Sequence, residues 1–164
     1  MATPNRGTVP LTGYAKRFVD QLAQCRALGI RILEGSERHV LLELPYQKRI
    51  IGYPDTGVIH GGVITTLMDT ACGATVVCAL RHATGNVELS PTLDLRVDYM
   101  MAAKPEQSVF CYAECHKLTS AIAFVRAVVY QDDVSKPVAQ AVGSFMRIGP
   151  ELVTEQFKRN MEGG

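Results

Sequence analysis

Residues 57–80 read GVIHGGVITTLMDTACGATVVCAL, and this stretch decides the fold. From Gly61 to Leu80 the residues are apolar or small, interrupted only by four threonines and by Asp69. A helix of that composition offers no face to water, so the rest of the chain is expected to cover it on every side. At 1.5 Å per residue it is also about long enough to cross a bilayer. Asp69 near its middle, the Gly61-Gly62 pair at its start, the threonines and the lack of a flanking basic cluster argue against a membrane span.

Working outward, Tyr14 to Leu28 places Phe18, Leu22, Cys25 and Leu28 at helical spacing, and Gly29 ends that helix. Ile30 to Glu34 and His39 to Leu44 read as a hairpin turned by Gly35-Ser36-Glu37. Pro45 to Ile59 has no period and many turn formers, a loop of the length that often carries function. Beyond the helix and a polar turn at Ala83 to Asn86 come four strand-like runs: Thr92 to Met101, Ser108 to Lys117, Ala121 to Gln131 and Val138 to Ile148. Their short connections predict antiparallel neighbours. Residues 1–13 read as a flexible N-terminus and 151–164 as a polar tail forming a short or frayed helix. The expectation is one α+β domain over residues 1–164, with a curved antiparallel sheet of about six strands wrapped around the long helix.

Seventeen basic and sixteen acidic residues leave a formal charge of +1, so no global field draws the chain to nucleic acid or to an anionic membrane. The five cysteines are odd in number and lie in apolar stretches, which reads as reduced core thiols. Together with an N-terminus lacking an uninterrupted apolar stretch, this predicts a cytoplasmic protein. No Cys or His spacing suggests a metal site, and no cofactor is expected. Cys115 and His116 are adjacent in a strand and therefore point to opposite faces, which removes them as a nucleophile pair.

Asp69 is the only charged residue between Asp55 and Arg81, with histidine counted as neutral. Burying an unpartnered carboxylate costs on the order of several kcal/mol, so its presence needs a reason. A structural reason is a bond to Thr65, Thr66 or Thr70, or the capping of a neighbouring chain's helix. A chemical reason lies at the helix start, His60-Gly61-Gly62. Two glycines admit a ligand close to the backbone, and the free amides of a first helical turn suit an oxygen that becomes anionic. His60 is read as an orienting residue there. Gly61 and Asp69 are eight helical steps apart, roughly 12 Å, too far to act on one carbonyl. The chemical reading therefore requires a dimer in which each Asp69 meets the partner's Gly61 across a twofold axis.

The run Gly57 to Gly62 with Leu67 and Asp69, followed by Ser90-Pro91-Thr92-Leu93-Asp94-Leu95-Arg96-Val97-Asp98-Tyr99, resembles the hotdog-fold thioesterase superfamily, in the branch of the phenylacetate-pathway (PaaI-like) enzymes. The resemblance runs from about Leu28 to Ile148. It implies a hydrolase of small or medium acyl-CoA thioesters acting as a homodimer or a dimer of dimers. Asp69 would then be general base or nucleophile, Gly61 the donor that polarises the carbonyl, with His60 and Thr92 completing the catalytic set. Ordinary strand propensity accounts for Thr92 equally well. Substrate contacts are assigned to Gly62, Asp55, Thr66 and Lys117, with Lys104 and Arg126 as further cations for the CoA phosphates. Many relatives in that superfamily carry an asparagine or glutamine six residues before the histidine, where this chain has Pro54 followed by Asp55.

Met68, Met100, Phe124 and Phe145 are candidates for an acyl pocket and serve equally as core. Two alternatives remain open: a hotdog dehydratase or hydratase, and a noncatalytic acyl-CoA binding module.

Overall fold

In the computed structural model, which describes residues 11–163, His60 starts the central helix and Gly85 stops it. His60 is the N-cap: its backbone is extended, and its ring Nδ1 accepts the Gly62 N–H at 2.9 Å. Gly85 takes the left-handed conformation, φ 75°, that closes a helix and that side chains disfavour. The helix so bounded runs Gly61–Thr84, four residues past the expected end.

The described elements are α1 (Thr12–Gln21), α2 (Ala23–Leu28), β1 (Arg31–Gly35), β2 (His39–Leu44), a 3-10 turn at Lys48–Ile50, α3 (Gly61–Thr84), β3 (Thr92–Tyr99), β4 (Val109–Leu118), β5 (Ile122–Tyr130), β6 (Ala139–Met146), a second 3-10 turn at Pro150–Leu152, and α4 (Glu155–Glu162). The six strands form one sheet in the order β1-β2-β4-β5-β6-β3, antiparallel throughout. Helix α3 packs against β2 through β6, so the sheet curls around it. Residues alternate along β4 to β6: Cys111, Ala113, Val125, Ala127 and Ala141 face α3 and are buried, and their small size lets sheet and helix approach closely. The hotdog arrangement expected from the sequence is the one observed.

Four expectations are corrected. The first helix is two helices, because Leu22 adopts an extended conformation (ψ 112°) and the Asp20 carbonyl receives Arg26. Thr12 and Gly13, expected in a flexible terminus, belong to α1; residues 1–10 lie outside the described residues. Strand β3 lies beside β6 and not beside β4: α3, about 36 Å long at 1.5 Å per residue, carries the chain past its neighbours to the far edge. Lastly, α3 is not covered all round. From Thr70 to Leu80 every residue is buried, yet Gly62 is exposed and Gly61, Thr65, Thr66 and Asp69 are partly exposed. That stripe lies along the open side of β3, which among the described residues pairs only with β6. Length and composition alone would let α3 cross a membrane, but 78% of its most apolar window is buried within this fold.

Candidate active site

Strand β3 supplies the partner of Asp69. The Thr92 hydroxyl donates to Asp69 Oδ1 at 2.7 Å. In a regular strand Thr92 would share a face with Asp94, Arg96 and Asp98, because side chains alternate. Those three lie opposite Ser144, Val142 and Gln140, on the face turned away from α3. A bulge between Thr92 and Asp94 shifts the register by one residue, pairs Thr92 with the buried Phe145, and turns its hydroxyl toward the helix. The bulge thus creates the Thr92–Asp69 bond.

The other threonines are engaged elsewhere. Thr66 donates to the Gly62 carbonyl at 3.0 Å, the Thr65 hydroxyl approaches the Gly61 carbonyl at 3.3 Å, and Thr70 contacts the Cys25 thiol at 3.5 Å. Asp69 is therefore held from the sheet and not from its own helix. Its negative charge adds to burial in pushing the Cys72 thiol up to about 12.

At the helix start, Gly62 gives its N–H to His60 Nδ1, which makes the His60 ring the tautomer protonated at Nε2. The Gly61 N–H has no partner among the described residues. The Gly61 amide, expected to polarise the carbonyl, is thus free, and the Gly62 amide, whose residue is assigned to substrate contact, serves the cap. A Cβ there would lie 3.0 Å from the His60 ring, tighter than ordinary contact, so a side chain at this position would press on the cap. A Cβ at Gly61 would lie 3.3 Å from the Tyr99 ring. Tyr99, the last residue of β3, to which the sequence assigns no role, also donates its hydroxyl to the Gly61 carbonyl at 2.7 Å.

Asp69, Thr92, Thr66, Gly61 and Gly62 accordingly share the stripe between α3 and β3. Asp55 stands exposed in the turn that the Tyr46 hydroxyl holds at Gly57. Lys117 is exposed at the end of β4, opposite Phe124, with two strands between it and β3. Lys104 pairs with Asp132 at 2.6 Å, and Arg126 pairs with Glu114. Within one chain none of these cations reaches the stripe. A cavity of about 340 Å³ opens beside Gly61, lined by Val58, Ile64, Tyr99, Met100 and Met101. Met68 and Phe145 are core, while Phe124 lies on the outer face.

A second constellation imitates a hydrolytic triad: Ser36 Oγ lies 3.0 Å from His39 Nδ1, and Glu34 Oε1 lies 2.8 Å from His39 Nε2. Ser36 is buried and its hydroxyl also accepts the amides of Arg38 and His39, so it staples the hairpin turn. Among the described residues no group of three or more His, Cys, Asp or Glu gathers as a metal site.

Six antiparallel strands curled around one long central helix define a hotdog protein. Residues 56–138 match the family model of the thioesterase superfamily, and the chain belongs to that superfamily. A crystal structure of a Pseudomonas aeruginosa protein is 47% identical, with a TM-score of 0.76 over 85% of this chain and all of that one, 100%. The medium/long-chain acyl-CoA thioesterase YigI of Escherichia coli K12 is 29% identical over 99 residues, 55% of this chain and 64% of that protein. The chain spans 57% to 64% of the length of the curated relatives it matches. The E. coli PaaI protein of the phenylacetic acid degradation operon shares the fold, with a TM-score of 0.72 at 17% identity over 85% of this chain and 97% of that one.

Proposed function

We propose that the protein hydrolyses acyl-CoA thioesters in the cytoplasm as a homodimer or dimer of dimers, with Asp69 of one subunit acting on a carbonyl held by the Gly61 amide of the other. The observation that carries this reading is the Thr92–Asp69 bond beside a free Gly61 amide on one exposed stripe. Thr92 fixes one carboxylate oxygen and leaves the second to draw a proton from water or to attack the carbonyl. The Gly61 amide, at the positive end of α3, stabilises the oxyanion that forms. Leu93, Tyr99, Met100 and Met101 are 53–57% exposed along the open edge of β3, an apolar border that a second copy would cover. Antiparallel pairing there brings each Asp69 to the partner's Gly61 and spans the roughly 12 Å that separates them within one chain. The relative named as an acyl-CoA thioesterase supports the substrate class. No cofactor enters the scheme, since CoA is part of the substrate.

The test is thiol release from a panel of acyl-CoAs. Wild type is expected to turn over, and Asp69→Asn, which keeps volume and removes the base, is expected to lose about 100-fold or more in kcat with the dimer intact. Unchanged kcat would remove Asp69 from the mechanism. Water addition to an enoyl-CoA without thiol release would point to a hydratase, and saturable binding without turnover to a binding module.

A further inference from the structure

We propose that Tyr99 is a positioning residue for the Gly61 amide, and that β3 of each subunit thereby aligns the Asp69 half of one site and the Gly61 half of the other. This rests on the acyl-CoA reading above. An amide in the first turn of a helix has no carbonyl one turn back to hold it, and a glycine there is free to rotate. The Gly61–Gly62 peptide is instead gripped at both ends. His60 Nδ1 takes its N–H at 2.9 Å, and the Tyr99 hydroxyl donates to its carbonyl at 2.7 Å. The Thr65 hydroxyl lies 2.5 Å from that of Tyr99 and 3.3 Å from the Gly61 carbonyl; with Tyr99 donating to that carbonyl, the single Thr65 proton goes to the Tyr99 oxygen. The Tyr99 ring covers the Gly61 Cα on the side where a Cβ would stand, 3.3 Å away. The Gly61 N–H belongs to the preceding peptide, whose His60 carbonyl accepts the Val63 amide at 3.0 Å; with that peptide held on one side of the Gly61 Cα and the Tyr99-gripped peptide on the other, the Gly61 N–H keeps a single direction.

The same strand holds Asp69 through Thr92 at its first residue and Gly61 through Tyr99 at its last. Thr92 and Tyr99 are seven positions apart, an odd number, so a regular strand would send them to opposite faces. The bulge after Thr92 puts both on the face toward α3. In the dimer, the Tyr99 of one subunit then serves the Asp69 of the other.

Tyr99→Phe keeps the ring and removes the hydroxyl. We expect kcat to fall about tenfold with KM and Tm unchanged, and the Gly62 amide, measured by NMR without substrate, to exchange at least about tenfold faster. Mixed dimers of one Asp69→Asn and one Tyr99→Phe subunit, purified by two tags, contain one site with both changes and one with neither. They are expected to recover about half of wild-type kcat. Wild-type kcat in Tyr99→Phe, an unchanged Gly62 exchange rate, or mixed dimers no faster than half of the Tyr99→Phe rate would each overturn the proposal. If Asp69→Asn is inactive in those cases, the acyl-CoA reading stands without it. An active Asp69→Asn sinks that reading and this proposal together.

Discussion

Asp69 holds its place because a hydroxyl from another element meets it: Thr92 donates at 2.7 Å, while the threonines of its own helix bond elsewhere. A hydrogen bond to a charged group contributes about 1.5–3 kcal/mol, which corresponds to roughly 10- to 100-fold if it is spent on orienting the carboxylate. Thr92→Val, close in shape but lacking the hydroxyl, is therefore expected to lower kcat by about that factor, and Thr92→Ser to restore most of it. Steady-state kinetics beside a Tm measurement checks this; a Thr92→Val enzyme with wild-type kcat would reduce Thr92 to an ordinary strand residue. Glu88 shows a purely structural use of the same chemistry. It is 4% exposed and paired with Arg147 at 3.2 Å, beside the bridge that joins Leu89 to Ile148 just ahead of β3.

At the scale of the element, β3 carries the site, and β6 dictates its shape. A Cβ on Gly143 would sit 2.6 Å from the Asp94 carbonyl oxygen and 2.9 Å from Leu95 Cδ1, closer than such atoms approach. The glycine therefore makes room for the backbone that follows the bulge. Gly143→Ala is expected to cost about 1–3 kcal/mol by overpacking, read as a lower urea midpoint. Because relief requires β3 to move, kcat should fall as well. An alanine variant with wild-type midpoint and rate would show that the bulge does not depend on this contact.

For the whole molecule, the core thiols link stability to pH. Burial is the main cause that pushes Cys72 and Cys78 from 9.0 to about 12 and Cys111 well above 9.0, and it pushes the Tyr14 phenol from 10.0 to about 12. The folded chain thus keeps protons that the unfolded chain releases as pH rises through its ordinary thiol and phenol values. Stability is fully present below about pH 9 and is lost progressively above it. The urea midpoint is expected to be level from about pH 7 to 8.5 and to fall from about pH 9 to 10.5. A midpoint unchanged to about pH 10.5 would show that these thiols are open to solvent.

The sequence by itself determined the central helix, its glycine start and the anomaly of Asp69, since composition within twenty residues suffices to say that most of such a helix is buried and that a carboxylate in it needs a partner. It also carried the number of strands, through alternation and turn residues. Three things only the tertiary structure decided. The position of β3 beside β6 depends on how far α3 carries the chain, and local alternation does not encode that. The bulge that turns Thr92 inward was invisible, because Thr92, Asp94, Arg96 and Asp98 read as one regular polar face and the register shift is imposed across the sheet, against Gly143. The partner of the Tyr99 hydroxyl was equally hidden: it lies 38 residues away along the chain, at a helix start that comes within reach only once the sheet has curled.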